Sequence, residues 1–157
     1  MIVVSDTTPI NYLLQLDLVE LLRDLYGTVY LPSAVLRELE AEGSLKTVRA
    51  WAGDLPEWVV VRGLQREIPD EFLHLDAGEA EALTLALEIG ADVVLLDERK
   101  GRKAAEACGL EAAGTLAVLR DSAVAGRIDF DEEVSRLRSL NFRVSDEIID
   151  DARPPRP

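Results

Sequence analysis

Two acidic residues follow short runs of strand-forming residues, at points where a carboxylate can take part in chemistry. Asp6 comes after the β-branched run 2–4, and Asp97 comes after the apolar run VVLL. If both runs are parallel strands, the two carboxylates lie at the same edge of the sheet. Neighbouring carboxylates repel each other unless a cation lies between them. Asp6 by itself could cap the next helix, accept a phosphoryl group or bind a metal ion, and these three roles remain open at this point.

Two glutamates on predicted helices can reach the same edge. Glu38 borders the apolar stripe of the helix PSAVLRELEAE, and Glu79 lies on a leucine face of the helix DAGEAEALTLALEIG. Each has an ordinary explanation: Glu38 as the rim of an amphipathic helix, and Glu79 as part of a capping box that starts at Asp76. Together with the two aspartates, they form a set of oxygen ligands that suits Mg²⁺ and metal-assisted attack of water on a phosphodiester.

A run of basic residues follows Asp97-Glu98. At the start of a helix these cations oppose the helix macrodipole, so helix stability does not explain them. Beside a carboxylate site with bound metal, they are expected to bind substrate phosphates. The alternative is that they are solvated residues that balance nearby glutamates. The four residues are Arg99, Lys100, Arg102 and Lys103.

The composition narrows the possible classes of protein. The 30 acidic residues against 17 basic residues leave a net charge of −13, which argues against loose binding to nucleic acid and favours a cationic partner or bound metal ions. His74 is the only histidine and has no Cys or His companions, which argues against a histidine triad or a zinc site. The single cysteine, Cys108, fits a reducing compartment, so we expect a cytoplasmic protein without a leader peptide or membrane segment.

Strand and helix signals alternate along the chain, which predicts a parallel sheet covered by helices. The expected fold class is a single-domain three-layer α/β/α sandwich with a mainly parallel, Rossmann-like sheet. This domain is expected over residues 1–150, followed by a flexible tail over residues 151–157. Thr8 and Pro9 are expected to cap and start a helical region that runs to Tyr26. After Asp129 we expect one more helix and then an ill-defined end.

Three blocks of the sequence, in this order and spacing, resemble the PIN domain of the VapC-like kind. They are VVSDTTPI, LPSAVLRELE and LDAGEAEALTLALEIGADVVLLDERKG, and they lie within residues 1–120. The blocks are most similar to the compact branch with an initial DT-x-P and a GEAEAL helix. The resemblance implies a PIN fold and a magnesium- or manganese-dependent endoribonuclease that cleaves RNA as the toxin of a toxin–antitoxin pair. It also implies a homodimer that an antitoxin protein neutralises.

The resemblance also assigns the expected catalytic residues. The family's four acidic positions fall on Asp6, Glu38, Glu79 and Asp97, and the third of them is often aspartate in relatives. Asp6, Glu79 and Asp97 are expected to hold the metal ion, with Glu38 binding it directly or through water. Thr7 is expected to support the site by orienting a ligand or a water molecule.

Several alternatives remain open. Glu81 and Glu98 lie close enough in sequence to replace the third and fourth acids. A non-enzymatic alternative is a catalytically inert PIN-fold module that binds a basic partner. Another is a phosphohydrolase with Asp6 as its nucleophile. A haloacid-dehalogenase-like enzyme of that type has a second aspartate two residues later, whereas this chain has Thr8 there.

Overall fold

Five strands form one parallel sheet in a computed structural model that describes residues 1–155. The strands are β1 (Val3–Ser5), β2 (Val29–Pro32), β3 (Val59–Arg62), β4 (Val93–Leu95) and β5 (Ala112–Ala113). Within the described residues they pair in the order β3-β2-β1-β4-β5, and each pairing is parallel. The predicted parallel, Rossmann-like sheet is confirmed.

Helices connect the strands and cover the sheet. They are α1 (Thr7–Gln15), α2 (Leu21–Tyr26), α3 (Ser33–Glu40), α4 (Lys46–Gly53), α5 (Ala77–Ile89), α6 (Arg99–Ala107), α7 (Thr115–Val124), α8 (Phe130–Ser139) and α9 (Asp146–Ala152). A single 3-10 turn, Asp70–Phe72, lies in the connection between β3 and α5. In the described part of the chain, no helix has the length and apolar character that a crossing of the bilayer requires.

Strand β1 lies at the centre of the sheet, because it pairs with β2 on one side and with β4 on the other. Val3 is opposite Val29 in β2 and Val93 in β4. The strand order reverses between β1 and β4, and parallel sheets form their sites at such a switch point, outside the carboxyl ends of the strands. The backbone N–H of Asp6 donates to the carbonyl of Leu95 at 2.9 Å, which extends this pairing to the first predicted acid.

Alternate residues of the buried strands belong to two apolar layers, one on each face of the sheet. Val3 packs in the layer formed by α1 to α4 and α7 to α9, whereas Val4 packs in the layer formed by α5 and α6. Strand β4 repeats this alternation, with Leu95 in the first layer and Val94 in the second. Burial on both faces explains why these strands are apolar runs without a polar alternation. The predicted single-domain three-layer α/β/α architecture is confirmed.

The start of the first helix differs from the sequence prediction. Helix α1 begins at Thr7, so Thr8 is not its cap and Pro9 is its third residue. Asp6 occupies the N-cap position, but its side chain makes no capping hydrogen bond. Proline is tolerated here because the first turn of a helix has no intrahelical acceptor for its N–H groups. The side chain of Asp6 therefore does not cap the helix that it precedes.

The predicted helical region up to Tyr26 is two helices. Helix α1 ends at Gln15, because Asp17 adopts a left-handed backbone conformation with φ of 59°. The N–H of Leu18 donates to the carbonyl of Leu13 at 2.8 Å, which closes the end of α1. A left-handed position is usually marked by a glycine, but here it is occupied by Asp17. The break was therefore not predicted.

The prediction of an ill-defined end after the helix that follows Asp129 is wrong, because a further helix, α9, follows α8. The Ser145 hydroxyl accepts a hydrogen bond from the N–H of Ile148 at 3.2 Å and caps α9, while Ile149 is buried against the core. Helix α9 includes residues 151 and 152 of the predicted flexible tail 151–157. Residues 156 and 157 of that tail lie outside the described residues.

The central position of Leu95 leads to a stability prediction. Leu95 is fully buried between β1 and β5, so Leu95→Ala leaves a cavity and is expected to lower the free energy of unfolding by about 2–5 kcal/mol. The control Leu45→Ala removes a half-exposed side chain and is expected to change it by less than about 0.5 kcal/mol. Urea denaturation of both variants measures the difference, and equal effects would contradict the packing described here.

Candidate active site

The four predicted acids come from elements that meet at one edge of the sheet. Asp6 follows β1 directly, and Asp97 lies two residues after β4, the neighbouring strand. Glu38 belongs to α3, which starts directly after β2. The backbone N–H of Gly78 donates to the carboxylate of Glu38 at 3.1 Å, so the first turn of α5, which contains Glu79, lies at this edge as well. The topology thus places all four carboxylates at the carboxyl ends of the strands.

Asp6 is a buried carboxylate with one oxygen that has no partner. The residue is only 3% exposed, and its Oδ1 makes no hydrogen bond within the described part of the chain. Burial raises the pKa of Asp6 to about 7, against the lowering effect of the Thr7 N–H. Repulsion from nearby carboxylates adds to the rise; they are Asp76, Glu38 and Asp97. Because an unsatisfied buried oxygen is costly, this atom marks a place for a proton or a cation.

Glu38 is held near Asp6 by hydrogen bonds from Thr7 and Gly78. The Thr7 hydroxyl donates a short hydrogen bond to Oε2 of Glu38, and the Gly78 N–H donates to Oε1. A Cβ atom added to Gly78 would lie 2.7 and 2.8 Å from the two Glu38 oxygens and 3.0 Å from Oδ1 of Asp6. Asp6 and Glu38 therefore share one small oxygen-lined cradle, which a side chain at position 78 would fill. Thr7, which was expected to orient a ligand or a water molecule, contacts Glu38.

Glu79, and not Glu81, lies with the other acids. Glu79 is 6% exposed, and burial raises its pKa to about 8, together with a hydrogen bond to Asp76 and repulsion from neighbouring carboxylates. Glu81 instead accepts a hydrogen bond from the N–H of Ala34 at 3.1 Å and pairs with Arg37 at 3.5 Å. These contacts connect α5 to the start of α3, so Glu81 has a structural role away from the cradle.

Asp97 is oriented by the first residue of helix α7. The N–H of Thr115 donates to Oδ1 of Asp97 and the Thr115 hydroxyl donates to Oδ2, each at 2.7 Å. Burial raises the pKa of Asp97, Glu98 raises it further, and the Thr115 hydrogen bonds and the cation Arg102 lower it. Each carboxylate oxygen can accept a second bond, so the contact with Thr115 leaves Asp97 able to bind a ligand.

Two further glycines make room for the remaining acids. A Cβ atom on Gly101, in α6, would lie 2.8 Å from Oε2 of Glu79, and one on Gly114, just before α7, would lie 2.7 Å from Oδ1 of Asp97. Cβ atoms essentially never come this close to another heavy atom. Each of the four acids therefore packs against a glycine, and the missing side chains help to position the carboxylates.

The four predicted phosphate-binding cations do not form a single patch. Lys100 and Lys103 line a pocket beside α6, whereas Arg102 lies on a different side of the helix, with Nη1 3.6 Å from the Cβ position of Gly114. This division follows from helix geometry, because residues two positions apart point in nearly opposite directions. Arg99 is exposed at the first position of α6. The basic residues of α6 thus belong to two separate surfaces, and Arg102 is the one placed beside an acid, Asp97.

The donor set suits a divalent cation, but the acids are not gathered around one point. Among residues 1–155, no three Asp, Glu, His or Cys side chains form a group that could hold a metal ion. The predicted ligands Asp6, Glu79 and Asp97 are therefore not assembled into such a group, and their role stays a prediction. The unpartnered Oδ1 of Asp6, its cradle with Glu38 and the oxygen-only donors nevertheless fit the chemistry of Mg²⁺ or Mn²⁺.

Two residues of this site, Asp76 and Thr115, could not be assigned to it from the sequence. Asp76 caps α5 as expected, since it accepts a hydrogen bond from the N–H of Glu79 at 2.8 Å, but its carboxylate also interacts with the side chains of Glu79 and Asp6. Thr115 is the partner of Asp97. The available sequence signals were the capping box that starts at Asp76 and the threonine, Thr115, that precedes the apolar run 116–119. Neither signal indicates a contact with an acid from another element.

The raised pKa values predict how stability changes with pH in chelator-containing buffer. The folded protein keeps protons on Asp6 and Glu79 up to pH values of about 7 and about 8, whereas the unfolded chain loses them near the ordinary values of 3.8 and 4.5. The free energy of unfolding should therefore fall as the pH rises from about 5 to about 8, by roughly 2 kcal/mol or more. Asp6→Asn should reduce this fall, and Asp54→Asn, at an exposed residue, should not. Urea denaturation across this range measures both, and identical slopes in the two variants would contradict the burial of Asp6.

A glycine substitution tests the positioning of Glu79. Gly101→Ala is expected to push Oε2 of Glu79 outward, because the flexible end of that side chain is what the new methyl group meets. More contact with water should lower the pKa of Glu79 from about 8 by about one unit or more. Carboxyl ¹³C NMR titration measures the change. The control Gly53→Ala adds a methyl group to a helix where nothing lies within 4 Å and should leave this pKa unchanged; an unchanged value in Gly101→Ala as well would refute the positioning role.

Comparisons with known proteins agree with the parallel α/β fold. The solved structure of a PilT N-terminus domain protein from the hyperthermophilic archaeon Sulfolobus solfataricus P2 matches with a TM-score of 0.58 and 18% sequence identity, over 78% of this chain and 93% of that chain. At this identity the likeness shows the fold alone. No curated protein matches the chain significantly. A family model described as DUF3368: PIN domain matches residues 2–154. The chain therefore belongs to this family of PIN domains, a nuclease-type fold, as its sequence blocks indicated.

Proposed function

We propose that this protein is a Mg²⁺- or Mn²⁺-dependent endoribonuclease of the VapC-like kind and the toxin of a toxin–antitoxin pair. The observation that carries the proposal is the buried Oδ1 of Asp6, which has no partner among residues 1–155 and faces Glu38 across a cradle at the carboxyl edge of the sheet. In a nuclease-type fold, such a group of carboxylates suits hydrolysis of a phosphodiester with a divalent cation. The substrate class, RNA, rests on the sequence resemblance.

The proposed metal ligands are the predicted ones. Asp6, Glu79 and Asp97 would hold the ion, and Glu38 would bind it directly or through a water molecule. A bound divalent cation supplies a water molecule of lowered pKa and stabilises negative charge on the phosphate. Because burial raises the pKa of Asp6 and of Glu79, these groups have to lose protons before they can act as charged ligands.

The protein's own residues prepare this site by fixing the acids. Thr7 and Gly78 orient the two oxygens of Glu38, and Thr115 orients both oxygens of Asp97. Such contacts to the outer side of a ligand typically change metal affinity or activity by about 10–100-fold when they are removed. A hydrogen bond between the side chains of Asp76 and Glu79 connects the cap of α5 to these acids.

The negative net charge requires a defined route for an anionic substrate. At −13, the protein as a whole repels RNA. Arg102 lies near Asp97, and Gly101, beside it in α6, packs against Glu79. In the proposal, RNA approaches over α6 and its phosphates contact Arg99, Lys100, Arg102 and Lys103.

The proposed partners and location follow from the same resemblance. The protein is expected to act in the cytoplasm, to form a homodimer and to be neutralised by an antitoxin protein. The net charge of −13 supports a basic segment in that antitoxin, since opposite charges favour association.

The main alternative is a catalytically inert PIN-fold module that binds a basic partner. It is favoured by the observation that residues 1–155 contain no three acidic, His or Cys side chains grouped to hold a metal ion. A phosphohydrolase with Asp6 as nucleophile is less well supported, because Thr8, the second residue of α1, stands where a second aspartate is needed. Metal binding and cleavage distinguish the three functions.

The proposal predicts that the purified protein, freed of any partner, cleaves single-stranded RNA only with Mg²⁺ or Mn²⁺. Asp6→Asn and Asp97→Asn should each reduce cleavage by about a hundredfold or more without loss of folding, because each removes a charged ligand. Glu79→Gln should have a similar effect, while the matched control Glu81→Gln should retain most of the activity, since Glu81 contacts α3. Gel assays of cleavage, circular dichroism and calorimetry with Mn²⁺ provide the measurements.

Three results would contradict the proposal. Absence of divalent-ion binding by calorimetry would favour the inert module. Cleavage that survives both aspartate substitutions would place the active site elsewhere. A covalent phosphoryl group on Asp6 after reaction with a phosphate ester would favour the phosphohydrolase.

A further inference from the structure

A pocket beside helix α6 is not used by the proposed chemistry. It has a volume of about 320 Å³ and lies between the 3-10 turn Asp70–Phe72 with the residues just after it and the outer face of α6. Its apolar wall includes Phe72 and Ala107, and the exposed ring of His74 also lines it. A volume near the lower limit of ligand pockets, about 300 Å³, suits one small flat group and not a larger ligand.

The charged residues of this pocket are mainly cationic. Lys100 and Lys103 both line it, and within residues 1–155 neither forms an ion pair closer than 4.0 Å. Two lysines without an acidic partner beside an apolar wall favour a ligand that has an anionic part and an apolar part. Glu71 also lines the pocket, and its carboxylate can accept a hydrogen bond from an exocyclic amino group of a base.

The residues that line the pocket are neighbours, along the chain, of residues that contact the acids. Lys100 precedes Gly101, the residue whose Cβ position lies 2.8 Å from Oε2 of Glu79. His74 comes two residues before Asp76, which interacts with that same glutamate. An RNA strand that passes the carboxylates and continues along α6 can therefore place a neighbouring nucleotide at the pocket.

We propose that this pocket binds one nucleotide of the single-stranded RNA substrate, next to the nucleotide whose phosphodiester is cleaved. Its base lies against the apolar wall and stacks on His74, and Lys100 and Lys103 bind the adjoining phosphates. Proteins that bind single strands combine flat rings for base stacking with cations for the backbone. The inference rests on the proposed ribonuclease function and adds a subsite that selects the position of cleavage.

Two variants test whether the pocket is occupied. Ala107→Trp fills the pocket from an exposed position at the end of α6, and Lys103→Glu reverses one of its charges. The matched controls are Ala50→Trp and Lys46→Glu, at exposed positions of α4. All are made in the Asp6→Asn background, so that a fluorescein-labelled single-stranded RNA oligonucleotide stays intact during binding. Circular dichroism checks that each variant is folded.

Fluorescence anisotropy should show binding weakened about tenfold or more by both pocket variants, and by less than about twofold by both controls. Adenosine monophosphate should displace the oligonucleotide at concentrations where inorganic phosphate does not. If Lys103→Glu weakens binding and Ala107→Trp does not, or if phosphate competes as well as the nucleotide, only charge is involved and the pocket proposal is refuted. Unchanged binding in both variants refutes it as well.

Cleavage assays separate this proposal from the proposed function. With Asp6 intact, Ala107→Trp is expected to shift the pattern of cut positions on one RNA, while Ala50→Trp keeps the original pattern. If the protein cleaves RNA and the pattern does not change, the ribonuclease stands and the pocket proposal fails. If the protein cleaves no RNA but the pocket variants weaken nucleotide binding, the subsite stands and the catalytic proposal fails.

Discussion

The burial of several mutually repelling carboxylates at one edge of a parallel sheet is the constraint on which this site depends. Asp6 lies at the end of the central strand, is nearly inaccessible to water, and has an oxygen with no partner in the described part of the chain. A charged carboxylate in such a place costs free energy, and the cost shows in its raised pKa. Burial raises the pKa of Glu79 for the same reason. The surrounding residues hold these acids in position.

Backbone and hydroxyl donors hold two of the four acids, Glu38 and Asp97. The Thr7 hydroxyl and the Gly78 N–H hold Glu38, while Thr115 holds both oxygens of Asp97. Donors of this kind orient a carboxylate without neutralising it, so the negative charge remains available to a cation. Glycines complete the arrangement, because a methyl group at position 78, 101 or 114 would overlap a carboxylate oxygen. The site is thus built from contacts that leave its charge uncompensated.

The parts of this arrangement that depend on local pattern could be predicted from the sequence. An acid that follows an apolar strand, as at Asp6 and Asp97, lies at the carboxyl edge of a parallel sheet. Helix periodicity put Glu79 on the leucine face of its helix, and in the structure it is buried near Asp6 and Asp76. What depends on strand order could not be predicted: that Thr115 would bond to Asp97 follows from the pairing of β4 with β5. The break at Asp17 was also missed, because a left-handed residue without glycine has no clear local signal. The separation of the α6 cations onto two sides of the helix could have been predicted from the sequence, because the angle between Lys100 and Arg102 follows from helix geometry.

In the proposed function, the position of helix α6 would let an acidic protein receive an anion near its buried acids. At an ionic strength of about 0.1 M, charges are screened over about 10 Å, so a phosphate responds to nearby groups more than to the net charge of −13. Close to the acids, those groups are the α6 cations on either side of Gly101. The buried acids also repel less than their number suggests, because the raised pKa values leave Asp6 and Glu79 partly protonated near neutral pH. A divalent cation that displaced those protons would add positive charge where the phosphate has to lie, so binding of the cation and of the anion would favour each other.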